Sequence, residues 1–129
     1  MSKQSGHKDQ ILEFFVNAAN KRSFALDITL NVKGCLVTGT LISAKEYFEE
    51  LSEHFEQGND MSRKISEQLA SAVKGLDSNK SEEVHFIHMK HVNIYFGDRL
   101  PTPAQRKTLW RGKLEKVDGF FLGRITDGA

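Results

Sequence analysis

The residues best suited to chemistry are three histidines, His85, His88 and His91, in the pattern His-x-x-His-x-x-His. Imidazoles bind metals and transfer protons near neutral pH. The apolar residues around them predict a β-strand, in which this spacing sends the three rings to alternating sides. A metal needs converging ligands, which only a bulge could supply here, so we predict strand histidines and no metal site. The sequence favours a pH response of these histidines at about pH 6.5 over metal binding.

Cys35 and the glycine-containing segments are not predicted to form a catalytic or nucleotide site. Cys35 is the one cysteine of the chain, and no base or positive helix end is near it in sequence to activate the thiol. Residues 38–40 and 119–123 lack the strand–loop–helix context and the lysine of a phosphate-binding loop. We therefore expect no enzyme activity, no catalytic residue and no cofactor.

Charge is unevenly distributed, although the formal net charge is only +1. Residues 45–60 are acidic, whereas residues 97–129 are mildly basic. A solvated surface is the simplest interpretation, and a dipolar surface that docks other copies or a charged partner is the alternative. Because a helix without an apolar pocket carries the glutamates, we expect ordinary exposed carboxylates. The charged candidates for an interaction surface are Glu46, Glu49, Glu50, Glu53, Arg111 and Lys113.

The strands that position these residues begin with a period-two pattern at residues 26–32, where Leu, Ile, Leu and Val alternate with polar residues. Lys33 and Gly34 form a turn, and residues 35–42 return as a second strand. Gly39 within that strand indicates a bend or bulge. The phase of the apolar pattern at residues 84–96 changes near Lys90 and His91, which predicts a bulge or two short strands.

Three helices are predicted. Residues 8–20 carry a broad apolar face. Ser43 and Glu46 have the spacing of a capping box, which begins a helix with Tyr47 and Phe48 on its buried stripe. Apolar residues at intervals of three or four predict another helix over residues 60–76, capped by Asn59 or Asp60.

The last strands are predicted as a hairpin, residues 108–117 and 119–125, about the turn dipeptide Asp118–Gly119. Adjacent Phe120 and Phe121 then point to opposite faces, so one of them should be exposed. These two aromatic residues complete the predicted interaction surface.

These elements predict an α+β fold. It is a small, strongly bent antiparallel sheet or an SH3/Sm-like barrel of four or five strands, with an N-terminal helix and a helical insertion at about residues 44–76. We expect residues 1–7 to form a disordered tail and residues 8–126 to form one domain. One cysteine, a polar start without an apolar signal region and no long apolar run predict a cytoplasmic protein that does not span a membrane.

Three segments in order, LDITLNVKGCLVTGTLISAKEYFEEL (26–51), HFIHMKHVNIYFGD (85–98) and LWRGKLEKVDGFFLGRI (109–125), resemble the gas vesicle protein GvpU family. The resemblance runs from about Gln10 to Thr126. It implies a cytoplasmic, non-catalytic accessory protein that associates with gas vesicles or their assembly proteins and is linked to vesicle clustering. No cofactor or catalytic motif is implied.

Two functional hypotheses follow. The first is a protein-interaction module that forms homo-oligomers or binds the gas vesicle shell or other gas vesicle proteins, through strand edges, exposed aromatic residues and charged surfaces. The second is an Sm- or OB-like nucleic-acid-binding barrel. The near-neutral charge and the absence of an RNA-binding signature disfavour nucleic acid. The residues that such a barrel would use are Arg99, Arg106, Lys107, Arg111 and Lys113, together with the aromatic residues.

Overall fold

The described part of the chain forms one antiparallel sheet with helices on both of its faces. The computed structural model describes residues 8–56, 58–76, 84–97 and 108–126. The predicted tail, residues 1–7, lies outside these ranges. In chain order the elements are α1 (Gln10–Arg22), β1 (Leu26–Val32), β2 (Cys35–Ile42), α2 (Ala44–Glu53), α3 (Asp60–Leu76), β3 (Phe86–Tyr95), β4 (Trp110–Lys113), a 3-10 turn (Leu114–Lys116) and β5 (Gly119–Leu122).

The sheet has the order β4-β3-β2-β1-β5, with every neighbouring pair antiparallel. The predicted α+β class and the helical insertion, now α2 and α3, are therefore confirmed. Strands β4 and β5 lie at opposite edges and do not pair with each other. The sheet is open, so the barrel form of the prediction is wrong.

Local signals fixed the first hairpin and the helix starts. Lys33 and Gly34 both have positive φ, 53° and 87°, and turn β1 into β2. Asp9 Oδ1 accepts hydrogen bonds from the first turn of α1 at 2.9 and 3.1 Å. Ser43 Oγ accepts from Glu46 N at 3.0 Å, and Asn59 Oδ1 accepts from Ser62 N at 2.9 Å. These caps satisfy backbone N–H groups that have no partner within a helix.

The predicted hairpin about Asp118 and Gly119 is wrong. Leu114 N donates to His85 O at 2.9 Å, and Leu114 itself is fully buried, so the chain turns under the sheet after β4. Asp118 then binds the β1–β2 hairpin: its N donates to Asn31 O at 2.8 Å, and its Oδ2 accepts from Lys33 N at 2.8 Å. The dipeptide begins β5 beside β1 rather than returning the chain to β4.

The main core lies between α1 and the first face of the sheet, where the buried apolar side chains of α1 meet those of the strands. The core side chains are Leu12, Val16, Ala19, Ile28, Leu30, Val37, Leu41, Ile87, Met89, Val92 and Leu114.

The predicted bulge in β3 is confirmed, because the register with β2 shifts between Thr38 and Thr40 and His91 has φ 54°.

Gly39 lies opposite the bulge and leaves the space that the core side chains of β3 occupy. A Cβ atom there would approach Val92 Cγ2 to 2.8 Å and the backbone oxygen of Lys90 to 2.9 Å. We expect Gly39→Ala to lower the free energy of unfolding by roughly 1–3 kcal/mol, because the added methyl group overpacks a close backbone contact. Chemical denaturation followed by circular dichroism measures this loss.

Gly119→Ala is the matched control. A Cβ atom at Gly119 would meet nothing within 4 Å, so the same substitution should change stability by less than about 0.5 kcal/mol. Equal losses for the two variants would show that the contact opposite the bulge is not the cause.

Candidate functional site

The second face of the sheet carries a cluster of aromatic, histidine and arginine side chains beneath α2. The buried ring of His88 lies 4.8 Å from the Tyr47 ring and 5.7 Å from the Phe48 ring, centroid to centroid. The Arg111 guanidinium lies 3.8 Å from the centroid of the Phe86 ring and 5.6 Å from that of Phe48. This cluster joins β3 and β4 to the first helix of the insertion.

His88 is held in the neutral form at neutral pH. Burial, and then the positive charge of Arg111, lower the pKa of His88 to about 4. Arg111 Nε donates to His88 Nε2 at 3.1 Å, which places the imidazole proton on Nδ1. His88 Nδ1 is buried and has no hydrogen-bond partner among the described residues. A buried donor without a partner costs stability.

The four candidate glutamates were predicted to be ordinary exposed carboxylates, but two of them, Glu46 and Glu50, have shifted pKa values. Glu46 Oε2 accepts from Lys90 Nζ at 2.7 Å. Burial raises the pKa of Glu46, but hydrogen bonds from Lys90 and Glu50 and the charge of Lys90 outweigh it, and the net pKa is lowered. Burial and the hydrogen bond with Glu46 raise the pKa of Glu50. The expectation failed because the sequence does not show that this side of α2 faces Lys90 on β3.

Three of the six charged candidates, Glu46, Glu50 and Arg111, contact other side chains within the molecule. Arg111 is committed to His88 and Phe86, which also weakens the nucleic-acid hypothesis. Glu49, Glu53 and Lys113 are exposed and available to a partner. Arg99, Arg106 and Lys107 lie outside the described residues. The structure therefore separates three freely exposed charged candidates from charged side chains with internal contacts.

The two aromatic candidates on β5 point to opposite faces, as expected. Phe120 pairs with Leu30 on the core face and makes an edge-to-face contact with Phe15, with ring centroids 6.2 Å apart. Phe121 pairs with Thr29 on the second face and keeps 51% of its surface exposed. Phe120 thus belongs to the core, and Phe121 is the member of the pair that a partner can reach.

Other apolar side chains are exposed that the sequence did not single out. Ile11 and Met61 belong to the apolar patterns that predict helices over residues 8–20 and 60–76, yet each is 62% exposed. Only the position of each helix against the sheet decides which part of a broad apolar face is covered. The exposed large apolar residues of the described ranges are Ile11, Phe14, Phe24, Met61, Ile65, Phe96, Phe121 and Leu122.

Residues 123–126 cross the remaining, polar part of the second face. Thr29 Oγ1 donates to Gly123 O at 2.8 Å, and Ile125 N donates to Thr38 Oγ1 at 2.8 Å. Arg124 donates to His91 O at 2.8 Å and to Thr40 Oγ1 at 3.0 Å. This crossing segment fixes the position of β5, and beside it lies an open cleft lined by Ala25, Leu26, Asp27, Thr40, Leu122 and Gly123.

In the described ranges, no three His, Cys, Asp or Glu side chains are grouped so that they could hold a metal ion. His85 and His91 are exposed, while His88 is buried under α2. None of the helices in these ranges has the length and apolar character needed to cross a membrane.

The buried His88 makes folding dependent on pH. Its pKa is about 4 when folded and about 6.5 when unfolded, so the unfolded chain takes up a proton first as the pH falls. Above about pH 6.5 the group contributes no pH dependence, and between about pH 6.5 and 4 it should cost on the order of 3 kcal/mol of stability. Denaturation at a series of pH values should show a shallower loss in His88→Leu than in the original chain.

His91→Asn is the control for this pH series, because His91 is exposed and asparagine tolerates its positive φ of 54°. This variant should retain the pH dependence of the original chain. Parallel curves for His88→Leu and the original chain would show that His88 does not carry the effect.

The chain was compared with family models, curated proteins and solved structures. The family model described as gas vesicle protein GvpU-like matches residues 9–125. No curated protein and no solved structure matches. The match extends over α1, all five strands and the insertion. The chain therefore belongs to the gas vesicle protein GvpU-like family.

Proposed function

We propose that this protein is a non-catalytic accessory protein that binds gas vesicles or their assembly proteins, associates with itself and thereby promotes vesicle clustering. Its place of action is the cytoplasm, at the vesicle surface. Membership of the GvpU-like family supports the association with gas vesicles. The distribution of exposed apolar side chains supports a role in binding and bridging.

The observation that carries the proposal is that apolar side chains are exposed on three separate elements. Isolated exposed apolar residues are ordinary on a protein surface, whereas adjacent ones mark interaction sites. Here exposed residues lie within one helical turn of each other on two helices, Ile11 and Phe14 on α1 and Met61 and Ile65 on α3. On the edge strand β5, Phe121 and Leu122 are also both exposed, although they point to opposite faces of the sheet.

The three pairs lie on elements that occupy different parts of the molecule. α1 covers the first face of the sheet, α3 packs against α2 on the side of the second face, and β5 forms an edge. A protein that bridges vesicles needs at least two contact sites that can be occupied together. Several weak apolar sites on separate elements meet that requirement, because linked weak contacts hold particles together more strongly than one contact does.

The proposal predicts that the purified protein co-floats with isolated gas vesicles and increases their light scattering by clustering. Phe14→Gln, Met61→Gln and Phe121→Thr each remove one apolar site with a residue suited to its helix or strand. Each should leave the fold intact and reduce clustering more than binding, because the two remaining sites can still hold one vesicle while fewer sites are left to hold a second. Gln68→Ala, at an exposed position of α3, is the control and should change neither.

A salt series identifies which surface makes the contacts. Attraction between exposed charges is screened over about 8–10 Å at physiological ionic strength, whereas apolar contacts are not weakened by salt in this way. We expect binding to persist at high salt. Binding that disappears at high salt would assign the contact to Glu49, Glu53 and Lys113 instead. Failure to co-float at every salt concentration would overturn the proposed vesicle binding.

A further inference from the structure

The outer edge of β5 presents backbone groups that no described residue pairs with. β5 pairs with β1 on one side only. Gly123 N donates to Asp27 O at 2.8 Å and so faces β1. Successive residues of an antiparallel strand turn their N–H and C=O groups to opposite sides. The backbone N–H and C=O groups of Phe121 therefore point to β1, as the N–H of Gly123 does. Those of Phe120 and Leu122 point to the open edge.

The two edges of the sheet differ in their protection. Proteins discourage edge-to-edge pairing with charged side chains, prolines, bulges or coverings. β4, at one edge, has Arg111 and Lys113 among its four residues. β5, at the other edge, has the sequence Gly-Phe-Phe-Leu and contains neither charge nor proline. The β5 edge is therefore the one that can accept another strand.

We propose that β5 pairs with β5 of a second copy of this chain in a closed twofold dimer. The two strands run antiparallel, and the two sheets become continuous across the edge. The formal net charge of +1 puts little long-range repulsion between copies. A strand that pairs with its own copy presents the same surface twice, which is the usual form of a twofold interface.

The backbone fixes the register of this pairing. Only Phe120 and Leu122 of β5 offer outward N–H and C=O groups, and a twofold axis must place the two copies symmetrically. The register that uses both residues pairs Phe120 with Leu122 of the second copy and Leu122 with Phe120 of the second copy. Each of these pairs exchanges two hydrogen bonds, and Phe121 faces Phe121 of the second copy at the axis.

The side chains suit this register. Phe121 is 51% exposed on the second face of the sheet, and pairing places its ring beside the same ring of the second copy. Leu122 is 53% exposed on the core face, and it would lie beside Phe120 of the second copy. Aromatic and aliphatic cross-strand pairs of this type stabilise sheets. The pairing thus covers both exposed apolar side chains of β5 at once.

The charged β4 edge limits the assembly to two copies. In the dimer the two β4 strands are the outermost strands of the joined sheet, and their charged side chains oppose pairing with a further copy. Closed pairing gives a defined dimer, whereas a second open edge would allow growth into a fibre. The role of the dimer rests on the proposed function: the β5 site is then occupied by the second copy, and the two copies together carry two sets of the α1 and α3 contacts on one unit. The dimer itself needs no vesicle and is tested separately.

Cysteine cross-linking tests the register in a Cys35→Ser background, which removes the one native cysteine. Facing residues at a non-hydrogen-bonded antiparallel pair have Cα atoms about 4.5 Å apart, within the range that a disulfide spans. Phe121→Cys should form a covalent dimer under mild oxidation, visible on a non-reducing gel. Lys113→Cys on the β4 edge is the matched control and should remain monomeric. Cross-linking of both variants to the same extent would overturn the assignment to β5.

Sedimentation of the purified protein over a concentration series tests the dimer without vesicles. Phe121→Lys should raise the dimer dissociation constant by about tenfold or more, because a lysine on an edge strand opposes pairing. Circular dichroism and thermal melting should show an unchanged fold, since Phe121 is half exposed. A monomeric original chain, or a folded Phe121→Lys variant with unchanged dimerisation, would overturn the proposed interface.

The two proposals fail in different ways. An original chain that is monomeric in sedimentation yet still clusters vesicles would overturn the dimer and self-association, and would leave the proposed vesicle binding and clustering standing. A dimer that forms with the predicted cross-link but never co-floats with vesicles would support the interface and overturn vesicle binding.

Discussion

The pairing of β5 with β1, across the sheet from β4, is the constraint on which the rest of the structure depends. Buried Leu114 and the hydrogen bond from its N to His85 O turn the chain under the sheet. Asp118 then attaches β5 to the β1–β2 hairpin. This path separates the two last strands by the full width of the sheet. It leaves two unlike edges, one charged and one apolar, and directs residues 123–126 across the second face.

The second face shows how a sheet with polar residues on it can be covered from two sides. Near β1, the buried hydroxyl groups of Thr29 and Thr38 are hydrogen-bonded to each other at 2.9 Å. Each also makes a hydrogen bond with the backbone of the crossing segment. Near β4, α2 covers His88, whose Nδ1 lacks a partner in the described part of the chain. Stacking of Arg111 on Phe86 and its bond to His88 offset part of that cost. The threonine side is thus the better satisfied of the two.

Local structure followed from the sequence because local chemistry determines it. Period-two alternation, the Lys33–Gly34 turn, the Ser43 cap and the change of phase near His91 each depend on residues close along the chain. The order of the strands does not, because an Asp-Gly dipeptide begins a strand or turns a hairpin according to contacts made far away. Asp118 is bonded to Asn31 and Lys33, which the spacing of residues 108–125 does not reveal.

The same distinction applies to the candidate surface. Alternation within β5 was enough to predict that one of Phe120 and Phe121 is exposed, because neighbouring residues in a strand face opposite ways. It could not show that β5 is an edge strand, nor that Leu122 is exposed beside Phe121. Edge position is a property of the whole sheet. It turns a short apolar strand, which would be ordinary core in the middle of a sheet, into a surface with one open backbone edge and two exposed apolar side chains.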